Sequence, residues 1–363
     1  MAEVADINEV IERTEAQLEE MDDFSENPPS DIVAFNELRS CADLVRMYST
    51  GQLIIKPDFQ RDLVWSNPAQ TRFIDSLVKQ LPIPSMCLSL DYKSEKRLMI
   101  DGLQRISSII KFLTDSDWRL SDLEDIDNRV SGKTASYIKD KHPEIYSRIE
   151  NLTIPVTVLR CDYSKRSHMH YLFTIFHRLN TGGNKLSNQE IRNCIFLGKF
   201  NDLLKGMVDY RNTRMMFGLE TGKSYRFAYE ELILRIVAFS EWLDKYNGRL
   251  AKFLNDFMDN KKTISDAEFD TVRIKLMRSV DLVYLKILEG KVMPRLSKAT
   301  IEAILIGVYS NIDALERETQ LQLMERYKQL RQDDNFTLES LSEGLASTDK
   351  VKSRISRAKE IFA

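Results

Sequence analysis

The chain contains little of what disulfide-bonded and metal-binding proteins need. It has only 4 cysteines and 4 histidines among 363 residues, and no two cysteines have C-x-x-C spacing. The histidines form no H-E-x-x-H pattern, and none lies in a His-Asn-His nuclease context. His170 and His177 are two helical turns apart, but a lone pair of this kind is more often structural than a metal site. These absences argue against a disulfide framework, a zinc knuckle and a metal cage.

Long apolar runs are also missing. No stretch approaches the roughly 20 apolar residues that a membrane span needs, and the first residues lack the basic flank and apolar core of a secretory signal. We therefore expect a cytoplasmic protein without membrane contact. Hydrophobic residues make up 43% and charged residues 29% of the chain, which is typical of a soluble globular protein. At 363 residues the length favours two domains.

Charge is distributed unevenly along the chain. Residues 1–30 contain ten acidic residues and one arginine, a net charge of −9, whereas the remainder carries 51 basic and 45 acidic residues, or +6. An acidic arm on a mildly basic body could shield an anion-binding surface. The alternative is a solvated amphipathic helix, because Ile7, Val10, Ile11, Leu18 and Met21 fall near a helical stripe.

Hydrophobic periodicity divides the chain into three regions. Pro28 and Pro29 end the acidic arm, residues 1–30, because consecutive prolines exclude helix. Residues 31–186 alternate short apolar strands with helices, and Thr153–Leu159 is one such strand, which its proline places at an edge or a strand start. Residues 187–363 show helical patterns and no clear strand. We predict an α+β fold in which a domain with a small mixed sheet precedes an all-α domain.

The clearest candidate site is the turn at Asp101-Gly102. A strand that delivers a glycine directly into a helix leaves backbone N–H groups and the positive end of the helix dipole available to an anion. Arg105 has a planar fork that matches phosphate oxygens, Gln104 could orient a water or a terminal phosphate, and Asp101 could hold magnesium or activate water. Asp101 and Gln104 also have the spacing of a capping box, a purely structural arrangement, and both interpretations stay open.

Two further polar clusters could contribute to this site. Gln60 and Arg61 lie between a predicted strand and a helix cap, and their simpler interpretation is an exposed loop. Asn180 and Lys185 flank a glycine pair after a predicted helix, where a helix C-cap is the simpler interpretation.

Four sequence motifs follow one another over roughly residues 35–200. They are Pro57-Asp58-Phe59-Gln60-Arg61-Asp62-Leu63-Val64-Trp65, Leu81-Pro82-Ile83-Pro84, Ile100-Asp101-Gly102-Leu103-Gln104-Arg105, and Phe176-His177-Arg178-Leu179-Asn180-Thr181-Gly182-Gly183 with Leu186-Ser187-Asn188-Gln189-Glu190-Ile191-Arg192. In this order the motifs resemble the amino-terminal domain family of the GmrSD restriction endonucleases, and the helical remainder looks like the region that commonly follows.

This resemblance implies a ParB/sulfiredoxin-like core in a prokaryotic protein of restriction or anti-phage defence. It also implies that a nucleoside triphosphate is bound through an Asp-Gly-Gln-Gln-Arg motif and could be hydrolysed there. Here the motif is Asp101-Gly102-Leu103-Gln104-Arg105, in which leucine replaces the first glutamine, so that binding is better supported than turnover. Many relatives carry a His-Asn-His nuclease domain, which this sequence lacks, so DNA cleavage would need a separately encoded nuclease or a cryptic site.

Our leading hypothesis is a nucleotide-binding module of a defence system. Asp101, Gly102, Gln104 and Arg105 would form the phosphate site, with catalytic roles for Asp101, Gln104 and Arg105 and with magnesium on Asp101. Gln60, Arg61, Asn180 and Lys185 would be additional nucleotide contacts. The alternatives are a ParB-like DNA-binding or scaffolding protein with a nucleotide switch, and a DNA-nicking enzyme. The sequence leaves the oligomeric state open.

Overall fold

The computed structural model describes residues 28–55, 65–179, 186–220, 227–337, 340 and 347–363. The acidic arm therefore lies almost entirely outside the described residues. The chain divides into two compact units, and the boundary between them falls between Ser187 and Asn188.

The first unit is built on a five-stranded mixed sheet with the strand order β1-β5-β3-β4-β2. The β1–β5 and β3–β4 pairs are antiparallel, whereas the β3–β5 and β2–β4 pairs are parallel. The predicted α+β class with a small mixed sheet is confirmed. The strands are β1 (Val33–Ser40), β2 (Leu53–Ile54), β3 (Met86–Asp91), β4 (Arg97–Asp101) and β5 (Thr153–Cys161).

Pro155 does not place its strand at the edge of the sheet, as the sequence suggested. Strand β5 lies between β1 and β3, and β1 occupies the edge. The proline is tolerated because its pairing with β3 begins only at the next residue, Val156. On the other side Pro155 lies opposite Leu38 of β1. It is thus near the strand start, where it removes the fewest ladder hydrogen bonds.

Six helices within its described residues complete the first unit. The core includes Leu44, Ile74, Ile109, Val156 and Val158. Residues 115–151 contain two short helices whose Ile138, Ile145 and Ile149 are fully buried. Leu81 is 49% exposed and lies beyond the helix that ends at Val78. The helices are α1 (Cys41–Ser49), α2 (Asn67–Val78), α3 (Leu103–Thr114), α4 (Ala135–Lys141), α5 (Pro143–Asn151) and α6 (Arg166–Leu179).

The second unit is helical throughout its described residues, as its apolar periodicity predicts. A π-helical segment, Leu282–Ile287, follows α12 directly. Within the described ranges, no helix is both long and apolar enough to cross a bilayer. The helices are α7 (Asn188–Ile195), α8 (Lys199–Asp209), α9 (Arg211–Phe217), α10 (Ala228–Trp242), α11 (Leu250–Lys261), α12 (Asp266–Asp281), α13 (Lys298–Leu315), α14 (Gln320–Gln332) and α15 (Thr348–Ile361).

Helices α13 and α15 pack closely at Gly307. A Cβ atom added there would lie 2.5 Å from Cδ2 of Phe362 and 2.8 Å from the carbonyl oxygen of Ala358. Because the latter is a backbone atom, we expect Gly307→Ala to lower the free energy of unfolding by about 1–2 kcal/mol, despite the better helix propensity of alanine.

Gly206 in α8 is a matched control. It is also helical, and no atom of the described residues lies within 4 Å of an added Cβ. Gly206→Ala should therefore raise the free energy of unfolding by about 0.5–1 kcal/mol. Urea denaturation of the two variants should show shifts of opposite sign, and shifts of the same sign would contradict this packing.

Candidate functional site

Gly102 joins strand β4 to helix α3 in a conformation that few residues other than glycine adopt. It is the N-cap of α3, with φ 98° and ψ 15°. An added Cβ would lie 2.8 Å from Cγ and 3.2 Å from Cβ of Met86, a buried residue at the start of β3. The chain reverses here against a neighbouring strand, and glycine is needed both for the left-handed backbone and for the close approach.

The structure contradicts the capping-box interpretation of Asp101 and Gln104. The N-cap is Gly102, and no side chain among the described residues forms a cap hydrogen bond at this end of α3. The carboxylate of Asp101 instead accepts a hydrogen bond from Nη2 of Arg105 at 2.9 Å. Oε1 of Gln104 accepts the backbone N–H of Trp65 at 3.0 Å. Neither side chain therefore makes the contact that a capping box requires.

Arg105 connects three parts of the site. Besides its ion pair with Asp101, Nη1 donates to the carbonyl oxygen of Pro84 and, at 3.4 Å, to that of Ser85. Its side chain is only 14% exposed. The guanidinium thus links the first turn of α3, the end of β4 and the segment that enters β3. These contacts fix the orientation of its planar fork before any ligand arrives.

Gln104 connects the beginning of α3 to another part of the first unit. Trp65, whose N–H it accepts, also packs its ring edge-on against Phe73 of α2, with 5.5 Å between ring centroids. Ser108 in turn donates to the backbone carbonyl of Gln104 at 2.8 Å. The beginning of α3 is therefore held against a residue that shortly precedes α2.

The charge environment distinguishes Asp101 from its neighbour across the sheet. Asp101 lies opposite Cys87 in the β3–β4 ladder, and its side chain is 39% exposed. Burial raises the pKa of the Cys87 thiol to about 12, and the charge of Asp101 adds to this increase. Cys87 is therefore a neutral thiol at physiological pH and does not provide a nucleophile, whereas the carboxylate of Asp101 is accessible to a cation from solvent.

The structure describes half of the predicted site. It brings together Asp101, Gly102, Gln104 and Arg105, all in the β4–α3 turn. The other predicted contacts, Gln60, Arg61, Asn180 and Lys185, lie outside the described residues.

A magnesium ion would have few protein ligands here. Among the described residues, no group of three or more His, Cys, Asp or Glu side chains could hold a metal ion. Magnesium in phosphate sites usually takes one or two carboxylates and completes its coordination with phosphate oxygens and water. A single exposed carboxylate, that of Asp101, fits this type of site.

Sequence reasoning assigned no role to four residues that shape the site, namely Trp65, Pro84, Ser85 and Met86. Trp65 and Pro84 are the last residues of two of the four motifs. Their place in a motif was the sequence signal that could have pointed to them. Ser85 acts through its backbone carbonyl, which a sequence pattern does not report. Met86 matters because it lies against Gly102, a contact that depends on the pairing of β3 with β4.

The fold and this turn define a class of protein, an α+β domain with a mixed sheet and a glycine-initiated helix, followed by a helical unit. Residues 41–197 match the family described as GmrSD restriction endonuclease, N-terminal domain. The resemblance seen in the four motifs is therefore confirmed over this stretch. The chain has no match among curated proteins or among solved structures.

Proposed function

We propose that the first unit binds a nucleoside triphosphate at the start of α3 and that the chain acts in a prokaryotic restriction or anti-phage system. The observation that carries this proposal is the Gly102 turn, which begins a twelve-residue helix beside a fixed arginine. Helix amino termini attract anions through unpaired N–H groups and the helix dipole. The family match supports the defence role.

In this proposal each residue of the turn has a distinct role. Gly102 supplies the left-handed turn that starts the helix, and Arg105 contributes positive charge from a fixed position. Asp101 would hold magnesium, which when bound would neutralise phosphate charge. Gln104, with its carbonyl oxygen fixed by Trp65, would orient a water or the terminal phosphate.

Four more residues complete the proposed nucleotide site. Gln60, Arg61, Asn180 and Lys185 would be additional contacts to the nucleotide. DNA and a separately encoded nuclease are proposed as partners.

The first experiment measures affinity directly. ATP, GTP and CTP with magnesium should be compared by thermal shift, because a ligand that binds only the folded state raises its melting temperature. Arg105→Ala should weaken binding of the preferred nucleotide by about ten- to a hundredfold, as expected when a charged hydrogen bond worth roughly 1.5–3 kcal/mol is lost. Arg105→Lys should restore only part of the affinity, because an ammonium lacks the bidentate fork.

A matched control separates binding from folding. Arg105→Ala also frees the carbonyl oxygens of Pro84 and Ser85, so calorimetric titration should use variants whose circular dichroism matches the parent. Arg46→Ala removes an arginine with a comparable ion pair, to Asp43, from helix α1, and it should bind nucleotide normally. Parental affinity in Arg105→Ala would contradict the proposed site.

Hydrolysis is tested at Asp101. Asp101→Asn keeps the size of the side chain but removes the charge that would bind magnesium, so magnesium-dependent phosphate release should fall while the fold survives. Full activity in this variant would show that magnesium binds at another position. Salt-dependent DNA binding without turnover would favour a scaffolding protein with a nucleotide switch.

A further inference from the structure

The outer edge of β1 has the features of a pairing surface. All eight residues of this strand, Val33–Ser40, pair with β5 on one side, and among the described residues no strand lies on the other side. Large apolar side chains are exposed along it, with Val33 50%, Phe35 39% and Leu38 68% accessible. An exposed edge with unpaired N–H and C=O groups is a template for another strand.

The edge strand is held firmly at both ends. Before the strand, Asp31 accepts a hydrogen bond from Lys165 and contacts Nε2 of the buried His168 at 2.8 Å. These hydrogen bonds, first that of Lys165 and then that of His168, lower the pKa of Asp31 to about 2. At the other end, Ser40 caps α1 by accepting the N–H of Asp43. A fixed strand loses less entropy on pairing than a flexible segment would.

The charges on this edge select one pairing partner. Glu37 and Arg39 lie two positions apart and therefore on the same face of the sheet, where they form an ion pair with each other at 2.8 Å. If two antiparallel copies of β1 meet with Leu38 opposite Leu38, each Glu37 faces Arg39 of the second copy. Centring the pairing at residue 37 or 39 would place like charges opposite each other. The strand is thus complementary to itself in one register.

We propose that the outer edge of β1 pairs antiparallel with β1 of a second copy of this chain about a two-fold axis at Leu38, joining the two five-stranded sheets. With the axis at Leu38, only residues 36–40 of each strand lie opposite one another, and so short a strand pair buries little area compared with a stable interface. The dimer is therefore concentration-dependent rather than permanent. This inference does not depend on the proposed nucleotide site.

Cysteine cross-linking tests the register directly. Directly opposite residues in an antiparallel pair have Cα atoms about 4.5–5.5 Å apart, within the range of a disulfide. Under mild oxidation Leu38→Cys should therefore form a covalent dimer. The four native cysteines are buried and should not compete.

Val33→Cys, on the same strand and also exposed, is the matched control. In the proposed dimer the two introduced cysteines would be separated by ten residues, or about 33 Å, so this variant should form no disulfide cross-link. Equal cross-linking of the two variants, or none in Leu38→Cys, would overturn the proposal.

Charge reversal provides an independent test. In Glu37→Arg or Arg39→Glu alone, like charges would face each other twice, and self-association measured by sedimentation should weaken by about tenfold or more. In an equimolar mixture, one copy presents two positive side chains and the other presents two negative ones. Both facing pairs are then opposite in charge again, so the mixture should associate as tightly as the parent.

Two results would refute self-pairing. One is a mixture that associates no more tightly than either variant alone. The other is a parent that stays monomeric up to roughly 100 μM, a concentration far above typical specific affinities. Because Arg39 also binds Asp43 at 2.8 Å, the folding of each variant is checked by circular dichroism.

Discussion

Replacing Gly102 with alanine should destabilise the first unit by about 2–5 kcal/mol and abolish measurable nucleotide binding. The left-handed backbone costs an alanine about 1–2 kcal/mol, and displacing a buried side chain adds about 1–3 kcal/mol. Here the added Cβ would meet Cγ of Met86 at 2.8 Å. Urea denaturation measures the first effect, and calorimetric titration below the unfolding transition measures the second.

Gly51→Ala separates the cost of a left-handed backbone from the cost of close packing against Met86. Gly51 also has a positive φ, 72°, but no atom of the described residues lies within 4 Å of its added Cβ. This variant should lose only the conformational part, about 1–2 kcal/mol, and should bind nucleotide like the parent. If both variants were equally destabilised, close packing against Met86 would not matter. If Gly102→Ala bound nucleotide normally, the phosphate site would lie elsewhere.

Much of the first unit could be predicted because its signals are local. Alternating apolar residues and a polar turn identified β3 and β4, and Gly102 marked the junction with α3. The motifs that located the site are short and contiguous, so that Asp101, Gly102, Gln104 and Arg105 could be grouped without knowing the fold. The α+β class followed from the change between strand and helix periodicity.

The contacts within the site could not be predicted in the same way. Spacing suggested that Asp101 and Gln104 form a capping box, but their partners are Arg105 and the backbone of Trp65. Gln104 and Trp65 are 39 residues apart, and their contact exists only because α2 and α3 pack together. A local pattern carries no information about such a contact.

Some elements were missed for a related reason. In strand β1 the alternation of apolar and polar residues is weak, because both faces of the strand are largely exposed and its sequence mixes charged and apolar residues. Helices α4 and α5 each contribute only a few buried residues, so their apolar periodicity is faint. The proline rule considers one strand and left two positions open for Pro155, an edge strand or a strand start, whereas the strand order of the whole sheet decides which strand is at the edge.

A buried ionic network lies inside the helical unit and centres on Glu231 of α10. Its carboxylate accepts from Nη1 of Arg192 at 3.1 Å, from Nη2 of Arg235 at 2.6 Å and from Nζ of Lys298 at 3.1 Å. Arg235 is also 3.4 Å from a carboxylate oxygen of Glu302. These contacts join α7, α10 and α13 through charged side chains.

The charges in this network determine the ionisation of Glu231. Burial alone would raise the pKa of its carboxyl group, but the positive charges of Lys298, Arg235 and Arg192 outweigh burial and hold the pKa well below its usual range. Glu231 is therefore ionised at neutral pH, and the three cations depend on its negative charge.

Glu231→Gln should lower the free energy of unfolding of the helical unit by about 3–5 kcal/mol at neutral pH. Glutamine has nearly the same shape, so the loss comes from removing the negative charge that Arg192, Arg235 and Lys298 share, which is the costly way to break a buried ion pair. Glu360→Gln makes the same chemical change in an exposed pair, Arg357–Glu360, where the side chains are 39% and 65% exposed. Its effect should stay within about 0.5 kcal/mol.

The pH dependence of the loss of stability in Glu231→Gln gives a second check. The carboxyl of Glu231 titrates near 4.5 in the unfolded chain and well below that in the folded protein, so its stabilising contribution is complete above the unfolded pKa and declines as the pH falls below it. The gap in unfolding free energy between the parent and Glu231→Gln should therefore be constant from about pH 6 to about pH 8, within the usual ionised range of a carboxylate, and should narrow below about pH 4.5. A gap that widened on acidification would mean that Glu231 is protonated in the folded protein and that the network is not ionic.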